Sequence, residues 1–538
     1  MTAFGGGAIG ALFLLWISGL RVINPTQVGW VMQSDWRIHF LGWHFFRRES
    51  WMWPPGRIDG YFHAPDGTAV GFTDSIPVVA FLLKPLSSLL PDPFQYLGIW
   101  LLLCFILQGV FGVLLARIWT PDRSLQLVVA AFFVLTPTLL IRAGHPSLCA
   151  HWLLLWTLWL YFRGAVGERQ HVAHYAASGL LAGLIHPYLA VMVLASQLAL
   201  AIKDRHAMGL MAGLVAVLSG WWASGLFTVS GTENLGAGGL GDYSMNLLSV
   251  ITPSGWSTLL PEQPIGAPGQ TFEGFQYLGA GALLLLTVAA ALQIRRTSGA
   301  SIAYVAPVFV TSAICAVYAL SPRVTAFDRV VVDLTGPLLD RFAIFRATGR
   351  FFWPMAYLLM LWGVAAVLTR LGGRTALLLL SAVVALQLVD FRRAHLERHL
   401  VTRTDAFHAH VLPLQSPVWA AALPHYRHLV LLSPQHCGPS PAGFEWPAFI
   451  AGLYGLTVNA GELARPDQDK MRAYCEALSA QIRDGHVADD TVYLVNRTLL
   501  DALRTKASQP LVCGDADRIP LCVTRRSSEA WRATVGWP

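Results

Sequence analysis

The sequence predicts an α-helical polytopic membrane protein of about eleven spans, with re-entrant and interfacial helices and a small C-terminal α/β domain outside the cytoplasm. Three observations predict this class. Of the 538 residues, 54% are hydrophobic and 13% are charged, about half the charged share of an ordinary soluble domain. Apolar stretches long enough to cross a bilayer recur up to residue 390. Beyond that point the chain is polar, and short apolar runs alternate with helical patterns, as in small α/β domains.

The apolar stretches predict membrane helices near residues 5–23, 95–118, 124–141, 146–163, 172–186, 188–202, 207–227, 276–294, 301–320, 351–369 and 375–390. Segment 75–91 is shorter and carries Lys84 and Pro85 in its middle. A lysine and a proline there predict a re-entrant or half-buried segment, not a full span. These segments define a membrane domain at 1–391 and a soluble domain at 392–538.

The basic residues of the short loops predict the orientation. They lie in every second loop, which by the positive-inside rule faces the cytoplasm; they are Arg117, Arg123, Arg163, Arg169, Lys203, Arg205, Arg295, Arg296, Arg370 and Arg374. The N-terminus is then inside, and the long loops and the C-terminal domain are outside. The formal charge of +7 therefore marks cytoplasmic loops and does not predict a nucleic-acid partner.

The C-terminal domain holds four of the seven cysteines, which are Cys437, Cys475, Cys513 and Cys522. Four cysteines in one polar domain predict up to two disulfides, which require an oxidising compartment. Their connectivity stays open. Because no CxxC pair is present, a zinc site is less expected. The expected elements are strands at 428–433 and 491–495, helices at 467–483 and 499–506, and one or two strands within 510–523.

The first long loop carries an acid, histidines and many aromatics at 33–53. Asp35 and His39 are four apart and share one helix face, while Trp36, Phe40 and Trp43 form a second face. This pattern predicts a helix in the membrane interface, with its indoles at headgroup depth.

A partly desolvated carboxylate can accept a proton from an attacking hydroxyl, and Asp35 is the preferred base. Asp74, in Gly-Phe-Thr-Asp-Ser-Ile-Pro, is a second candidate because it begins the re-entrant segment. The alternatives are an acid paired with Arg37 and an aromatic belt without chemistry.

Two His-Pro turns are expected at the same membrane face. One is Arg142-Ala-Gly-His145-Pro146, and the other is His186-Pro187. They predict substrate contacts for Arg142, His145 and His186, or simply two helix starts. No tight ligand spacing predicts a metal there.

Arg346 and Arg350 lie four apart directly before a predicted span. Guanidinium groups bind phosphate oxygens in pairs, so these arginines predict a phosphate site; the alternative is snorkelling into the headgroups. The long loop 228–275 is glycine-rich at 231–241 and carries Glu262 and Glu273. It is expected to be a linker or a mobile flap.

With these motifs the chain resembles the GT-C superfamily of integral-membrane glycosyltransferases, in particular an uncharacterised bacterial branch. The resemblance covers residues 1 to 391. It depends on Ser-Asp35-Trp-Arg-Ile-His39, on Thr-Asp74-Ser-Ile-Pro and on Phe-Arg346-Ala-Thr-Gly-Arg350-Phe. The adjacent Asp-Glu pair that is common in this superfamily is absent here.

The resemblance implies an enzyme of the bacterial inner membrane that transfers a sugar, with inversion, from a polyprenyl phosphate to an acceptor outside the cytoplasm. Asp35 would be its base, and Arg346 and Arg350 would bind the donor phosphate. The expected partners are this donor, membrane lipids and a glycan, lipid or protein acceptor. A need for a divalent metal stays open.

Two other functions are open at this stage. A transporter or flippase for a lipid-linked glycan predicts ionisable residues at mid-membrane depth. A membrane acyltransferase predicts a histidine base such as His145 or His186.

Overall fold

The computed structural model describes residues 1–227, 241–294, 302–336, 344–392, 416–438, 443–462, 467–495 and 497–529. Its helices are α1 (Thr2–Ser18), α2 (Trp36–Phe46), α3 (Pro77–Leu83), α4 (Leu97–Ala116), α5 (Arg123–Val134), α6 (Pro137–Ile141), α7 (Trp152–Arg163), α8 (Val172–Ile185), α9 (Pro187–Asp204), α10 (Ala207–Ala223), α11 (Pro268–Phe272), α12 (Ala280–Ile294), α13 (Ile302–Leu320), α14 (Trp353–Arg370), α15 (Gly373–Asp390), α16 (Pro417–Ala422), α17 (Glu445–Leu453), α18 (Gln468–Asp484) and α19 (Arg497–Lys506). Its strands are β1 (Arg57–Ile58), β2 (Thr68–Ala69), β3 (Arg323–Ala326), β4 (Arg329–Asp333), β5 (His428–Leu432), β6 (Thr457–Val458), β7 (Thr491–Val495), β8 (Leu511–Ala516) and β9 (Ile519–Thr524).

Helices form at every predicted membrane segment, but they differ in length. Among the described residues, five are long and apolar enough to cross a membrane; they are Leu97–Ala116, Pro187–Asp204, Ala303–Leu320, Thr348–Arg370 and Gly373–Asp390. A sixth forms if α5 and the helix Pro137–Gly144, which are bent by 47° at Pro137, count as one span. Proline lacks the amide hydrogen that would continue the helix, which explains this break. Other apolar helices, such as α1 and α8, are shorter.

The chain forms two compact units that do not follow chain order. The helical unit comprises Met1–Asn24, Gly98–Gly220 and Asn234–Thr404. The sheet unit comprises Pro25–Leu97, Trp221–Glu233 and Asp405–Pro538. The first long loop therefore belongs to the same compact unit as the C-terminal residues.

In the helical unit, α13 packs against α9 and α14, and α12 packs between α14 and α15. A close approach joins α1 to α4, where a Cβ on Gly109 would lie 2.0 Å from the carbonyl oxygen of Gly6. Small residues of this kind let membrane helices touch backbone to backbone. Large apolar side chains point outward, among them Leu378 on α15, which is 72% exposed. Such outward apolar surfaces are expected of helices that contact lipid.

The sheet unit contains a five-stranded sheet with the order β6-β5-β7-β9-β8. β5 pairs in parallel with β6 and β7, whereas β9 pairs antiparallel with β7 and β8. The helix α18 buries Met471 and Leu478, as its apolar spacing predicts. The predicted strands and helices of this region are confirmed, so the small C-terminal α/β fold is present.

The first loop packs on this sheet domain through α2. The imidazole of His44 stacks on Phe449 of α17, with ring centroids 4.8 Å apart. Arg37 forms ion pairs with Glu445 (3.1 Å) and Glu462 (3.0 Å). A parallel bridge between Tyr61 and Val458 extends the sheet beyond β6.

These contacts correct one expectation about α2. Its aromatic residues Phe40, Trp43 and Phe46 are buried, and the indole of Trp43 donates a hydrogen bond to the Phe94 carbonyl, with 3.0 Å between nitrogen and oxygen. Protein and not lipid therefore covers Phe40 and Trp43 of the predicted aromatic face, whereas Trp36 is half-buried. Aromatic spacing predicts an apolar face, but it does not tell whether lipid or protein covers that face.

Segment 75–91 is a short helix followed by a 3₁₀ turn, Lys84–Leu89. The ammonium of Lys84 lies 3.8 Å from the ring centroid of Phe46 and 4.6 Å from that of Trp51. Cation–π contacts of this kind explain how a lysine is tolerated in an apolar segment.

His44 predicts an acid-sensitive contact inside the sheet unit. Its Nε2 lies 2.9 Å from the Phe449 carbonyl and its Nδ1 lies 3.0 Å from the Arg48 guanidinium, so the neutral ring donates at Nε2 and accepts at Nδ1. Burial, followed by the charge of Arg48, holds its pKa well below 6.5. As the pH falls, the His44 imidazole is protonated in the unfolded chain before it is protonated in the folded chain. The free energy of unfolding therefore decreases below pH 6.5, by up to about 1.4 kcal/mol per pH unit.

The measurement is the unfolding temperature of the full chain in detergent between about pH 7 and pH 5. We expect His44→Gln to show a shallower loss on acidification than the wild type. His425→Gln, at an exposed position, is the control and should keep the wild-type slope. An equal slope in all three proteins would contradict the assignment.

Candidate functional site

The structure divides the predicted site residues between the two units. Asp35, His39 and Asp74 belong to the sheet unit, together with the four cysteines. The helical unit contains the basic residues, which are Arg142, His145, His186, Arg346 and Arg350.

The centre of the site in the helical unit is a carboxylate held by two arginines. Glu273 Oε2 accepts hydrogen bonds from Arg142 Nη1 at 2.7 Å and from Arg350 Nε at 2.9 Å. Its Oε1 accepts from Arg350 Nη2 at 2.6 Å. The three side chains are largely buried and carry a net charge of +1, so they attract anions even after they pair.

Three turns bring these groups together. Arg142 begins the 3₁₀ turn that follows α6, Glu273 ends α11, and Arg350 lies in the 3₁₀ turn Thr348–Phe352 before α14. Gly349 permits the approach, because a Cβ there would lie 2.7 Å from Gly274 Cα. The amide of Gln276 fixes the same turn by donating to the Gly349 carbonyl at 2.8 Å.

The electrostatics of this cluster favour the ionised form of Glu273. Burial alone would raise the pKa of its carboxyl, but the charges of Arg350 and Arg142 outweigh burial and hold the pKa below its usual value. A buried acid clamped in this way stays a carboxylate and is a poor general base. Glu273 therefore organises the arginines and does not accept a proton.

Arg346 differs from Arg350 in exposure and pairing. It is exposed, its Nη2 donates to the Tyr243 hydroxyl at 2.9 Å, and its guanidinium lies 4.5 Å from the centroid of the Tyr243 ring. No carboxylate among the described residues pairs with it. Of the two arginines predicted to bind phosphate, Arg346 is the one whose charge is presented outward.

The two His-Pro turns come together, as the sequence predicts. The rings of His145 and His186 lie 5.9 Å apart, edge to face. His186 Nδ1 accepts the backbone N–H of Tyr188 at 3.2 Å and thereby caps α9. A neutral imidazole that accepts at Nδ1 carries its proton at Nε2. His186 therefore suits hydrogen-bond donation to a substrate oxygen better than proton abstraction.

Asp35 is the N-cap residue directly before α2 in the sheet unit, and it is half-buried. His39 is fully buried and its Nδ1 bonds the main-chain carbonyl of Asp35 at 2.9 Å. The predicted spacing of four is thus present, although the contact uses the backbone of Asp35. Asp35 stands at the start of the helix, where the helix dipole favours an anion.

Asp74 lies in a strained turn beside α2. Asp74 and Ile76 both have a positive φ, 51° and 50°, a conformation that costs non-glycine residues of order 1 kcal/mol or more. The hydroxyl of Ser75 donates to the His39 carbonyl at 2.8 Å. Gly42 leaves room for the turn, because a Cβ there would lie 2.1 Å from Thr73 Oγ1. Strain that neighbouring contacts maintain is typical of functional turns.

A cavity of about 290 Å³ opens in the sheet unit, between the first loop and the turn that follows α17. Its lining includes the apolar residues Phe45 and Leu456 and the charged residues Arg48, Glu49 and Asp59. Both carboxylate oxygens of Glu49 accept backbone amides, those of Asp59 and Gly60, each at 2.8 Å. The volume is at the lower end of the range of small-molecule sites.

The four cysteines form two disulfides, Cys437–Cys475 and Cys513–Cys522. The second links β8 to β9 at directly opposed positions. Both lie in the sheet unit, the part of the chain that the sequence predicts to face an oxidising compartment.

Sequence reasoning named Glu273 only as an acid in a long loop. Nothing in its local pattern shows that two arginines, 131 and 77 residues away, converge on it. The sequence pattern likewise did not predict that Tyr243 contacts Arg346. The glycine-rich stretch 231–241 of that loop lies, except for its last residue, outside the described residues.

Two family models match this chain. The domain of unknown function DUF6311 matches residues 7–392, and the DUF6311 C-terminal domain matches residues 418–524. A comparison with curated proteins gave no match. Since the first model alone covers well over half of the sequence, the chain belongs to the DUF6311 family.

Proposed function

We propose that this protein is a membrane glycosyltransferase that moves a sugar from a polyprenyl phosphate to an acceptor hydroxyl outside the cytoplasm. In this proposal the chain has about eleven spans in a bacterial inner membrane, and the C-terminal domain faces the periplasm. The observation that carries the proposal is the basic cluster of the helical unit. Glu273 pairs with Arg350 and Arg142, while Arg346, four residues before Arg350 in the chain, has an exposed guanidinium.

Departure of the phosphate concentrates negative charge on its oxygens, and preorganised guanidinium groups stabilise that charge most in the transition state. Arg346 would contact the phosphate directly. The buried cluster of Arg142, Glu273 and Arg350 would add a positive electrostatic potential. Its side chains would need little rearrangement during the reaction, because hydrogen bonds already hold them in place. His186, which carries its proton at Nε2, would donate a hydrogen bond to an oxygen atom of the polyprenyl phosphate sugar.

Asp35 would supply the base, and inversion follows if the acceptor hydroxyl attacks opposite the departing phosphate. The hydroxyl loses its proton to the Asp35 carboxylate as its oxygen bonds to the anomeric carbon, and the bond from that carbon to the phosphate oxygen breaks. Asp74, in its strained turn, is the second acid of the same unit and would orient the acceptor. The acceptor is a glycan, a lipid or a protein.

The placement of charge favours transfer over transport. Of the five helices long enough to span a membrane, two contain no Lys, Arg, Asp or Glu, and the other three hold them only near their ends. A transporter is expected to place such groups along a pathway at mid-membrane depth. The capping role of His186 also argues against that residue as an acyltransferase base.

Replacing Arg346 tests the phosphate assignment. A hydrogen bond to a charged group contributes about 1.5–3 kcal/mol, so Arg346→Ala should raise the KM for a polyprenyl phosphate sugar by about 10- to 100-fold. Arg346→Lys should recover part of the loss, since lysine keeps the charge but not the planar fork. The measurement is donor-dependent release of polyprenyl phosphate by the purified protein.

The matched control is Arg329→Ala, which removes an exposed arginine from β4 in the same unit. It should leave the KM unchanged. If Arg346→Ala and Arg329→Ala give the same KM, Arg346 does not bind the donor phosphate.

A further inference from the structure

The first disulfide of the sheet unit has a histidine as its immediate neighbour. His436 and Cys437 lie in the turn after β5, and Cys475 lies on α18. One ring nitrogen of His436 and the two sulfur atoms all lie within 4.8 Å of one another. All three residues are half-buried.

The imidazole of His436 is enclosed by rings. Its centroid lies 5.0 Å from that of Phe62 and 6.1 Å from that of Tyr474. Neither ring nitrogen has a hydrogen-bond partner among the described residues. Polar atoms that lose water without gaining a partner cost about 1–3 kcal/mol, and native proteins seldom leave them so without a reason.

The three side chains are ligands of one chemical kind. Thiolate sulfur and imidazole nitrogen are the ligands that Zn²⁺ prefers, and three protein ligands with water in the fourth position make an open tetrahedral site. While the disulfide is closed, its sulfurs are not thiolates and cannot hold the ion. The arrangement therefore places the disulfide beside an imidazole whose ring nitrogens have no hydrogen-bond partner among the described residues.

We propose that opening the Cys437–Cys475 disulfide creates a binding site for one Zn²⁺ or a similar borderline-soft divalent cation. A dithiol reductant breaks the S–S bond, so that the two cysteines become thiols. The reductant is itself oxidised to a disulfide. The cation then binds both sulfurs and one His436 nitrogen, and the two thiol protons are released. This inference does not depend on the proposed sugar transfer.

The second disulfide provides an internal comparison. Cys513 and Cys522 are opposed on neighbouring strands, and among the described residues no His, Asp or Glu joins them in a group with metal-ligand spacing. Reducing that pair yields two thiols without the third ligand. The proposal thus predicts that the two reduced pairs differ in affinity for the same ion.

The test is a Co²⁺ titration of the full-length protein in detergent, followed by its thiolate-to-cobalt absorption. The variant C513S/C522S keeps only the first pair. After reduction and anaerobic removal of the reductant, it should bind one Co²⁺ per chain, and Zn²⁺ should displace the Co²⁺. The oxidised form should bind none. The reciprocal variant C437S/C475S, reduced in the same way, should bind at least ~10-fold more weakly.

His436→Ala in the C513S/C522S background should also weaken Co²⁺ binding by at least ~10-fold, whereas His425→Ala, at an exposed position of the same unit, should not. Circular dichroism follows whether the reduced chain stays folded. Loss of the fold on reduction, absence of the cobalt band, or equal affinity with and without His436 would each overturn the proposal.

Discussion

Asp35→Asn should reduce sugar transfer by about 10²- to 10⁴-fold while the protein still folds and inserts. This range is what a positioned general base contributes, and asparagine keeps the shape of the side chain without a basic oxygen. Because the substitution leaves in place the arginines that we propose bind the donor phosphate, the loss should appear in kcat, with little change in the KM for the donor. The measurement is release of polyprenyl phosphate over a range of donor concentrations.

Asp66→Asn is the matched control for this substitution. Asp66 lies in the same loop and forms an exposed ion pair with Lys470, which contributes at most about 1 kcal/mol to stability. Its removal should leave kcat within about twofold of the wild type. Full activity of Asp35→Asn would exclude Asp35 as the base, and Asp74→Asn would then be the variant to measure.

Glu273→Gln should lower the free energy of unfolding of the helical unit by about 3–5 kcal/mol, since it leaves the buried guanidinium groups of Arg142 and Arg350 without their carboxylate. The wild type should also lose stability as the pH falls below about 4.5, the usual pKa of a glutamate. The sign follows from the depressed pKa. The unfolded chain binds the proton first, so the contribution of Glu273 is complete above that value and is lost on acidification.

Glu273→Gln should not show this loss of stability on acidification. Thermal unfolding in detergent at neutral and acidic pH measures both the lower stability of the variant and its pH dependence. Glu262→Gln is its control. Glu262 lies in the same loop, and its carboxylate accepts one exposed backbone amide, that of Gly255, so its loss should cost far less. If the two variants unfold alike at neutral pH, Glu273 does not hold the arginine cluster together.

The sequence predicted helix positions well because apolar runs of membrane-helix length are a local property. The lengths of the helices were less predictable. Pro137 lies inside the predicted segment 124–141, yet it begins a new helix, so this segment is bent. The break at Pro187 agrees with the predicted boundary between segments 172–186 and 188–202. The C-terminal strands were predictable for the same local reason, since β5 and β7 are buried apolar runs between polar turns.

What the sequence did not predict is pairing between distant residues. The four-residue spacing of Asp35 and His39 indicated a shared helix face but not that His39 would bond a backbone carbonyl. The spacing of Arg346 and Arg350 likewise suggested two equal phosphate ligands. The structure distinguishes them, because Glu273 pairs with Arg350 while Arg346 contacts the neutral hydroxyl of Tyr243.

Chain order was also a poor guide to compact units. Hydropathy places the first loop with the membrane segments that flank it, whereas Pro25–Leu97 belongs to the same compact unit as the C-terminal residues. The buried stack of His44 on Phe449 and the Arg37 ion pairs join residues about 400 positions apart. Such long-range packing has no signature in a single sequence.

The most direct test of the central proposal measures polyprenyl phosphate released from a labelled polyprenyl phosphate sugar by membranes that contain the wild-type protein or Asp35→Asn. Release does not require the acceptor to be known, provided that the membranes supply it. We predict that wild-type membranes release polyprenyl phosphate and form a labelled covalent product, and that Asp35→Asn membranes do neither. Movement of the intact donor across sealed vesicles, without release in either preparation, would contradict the account and identify a transporter.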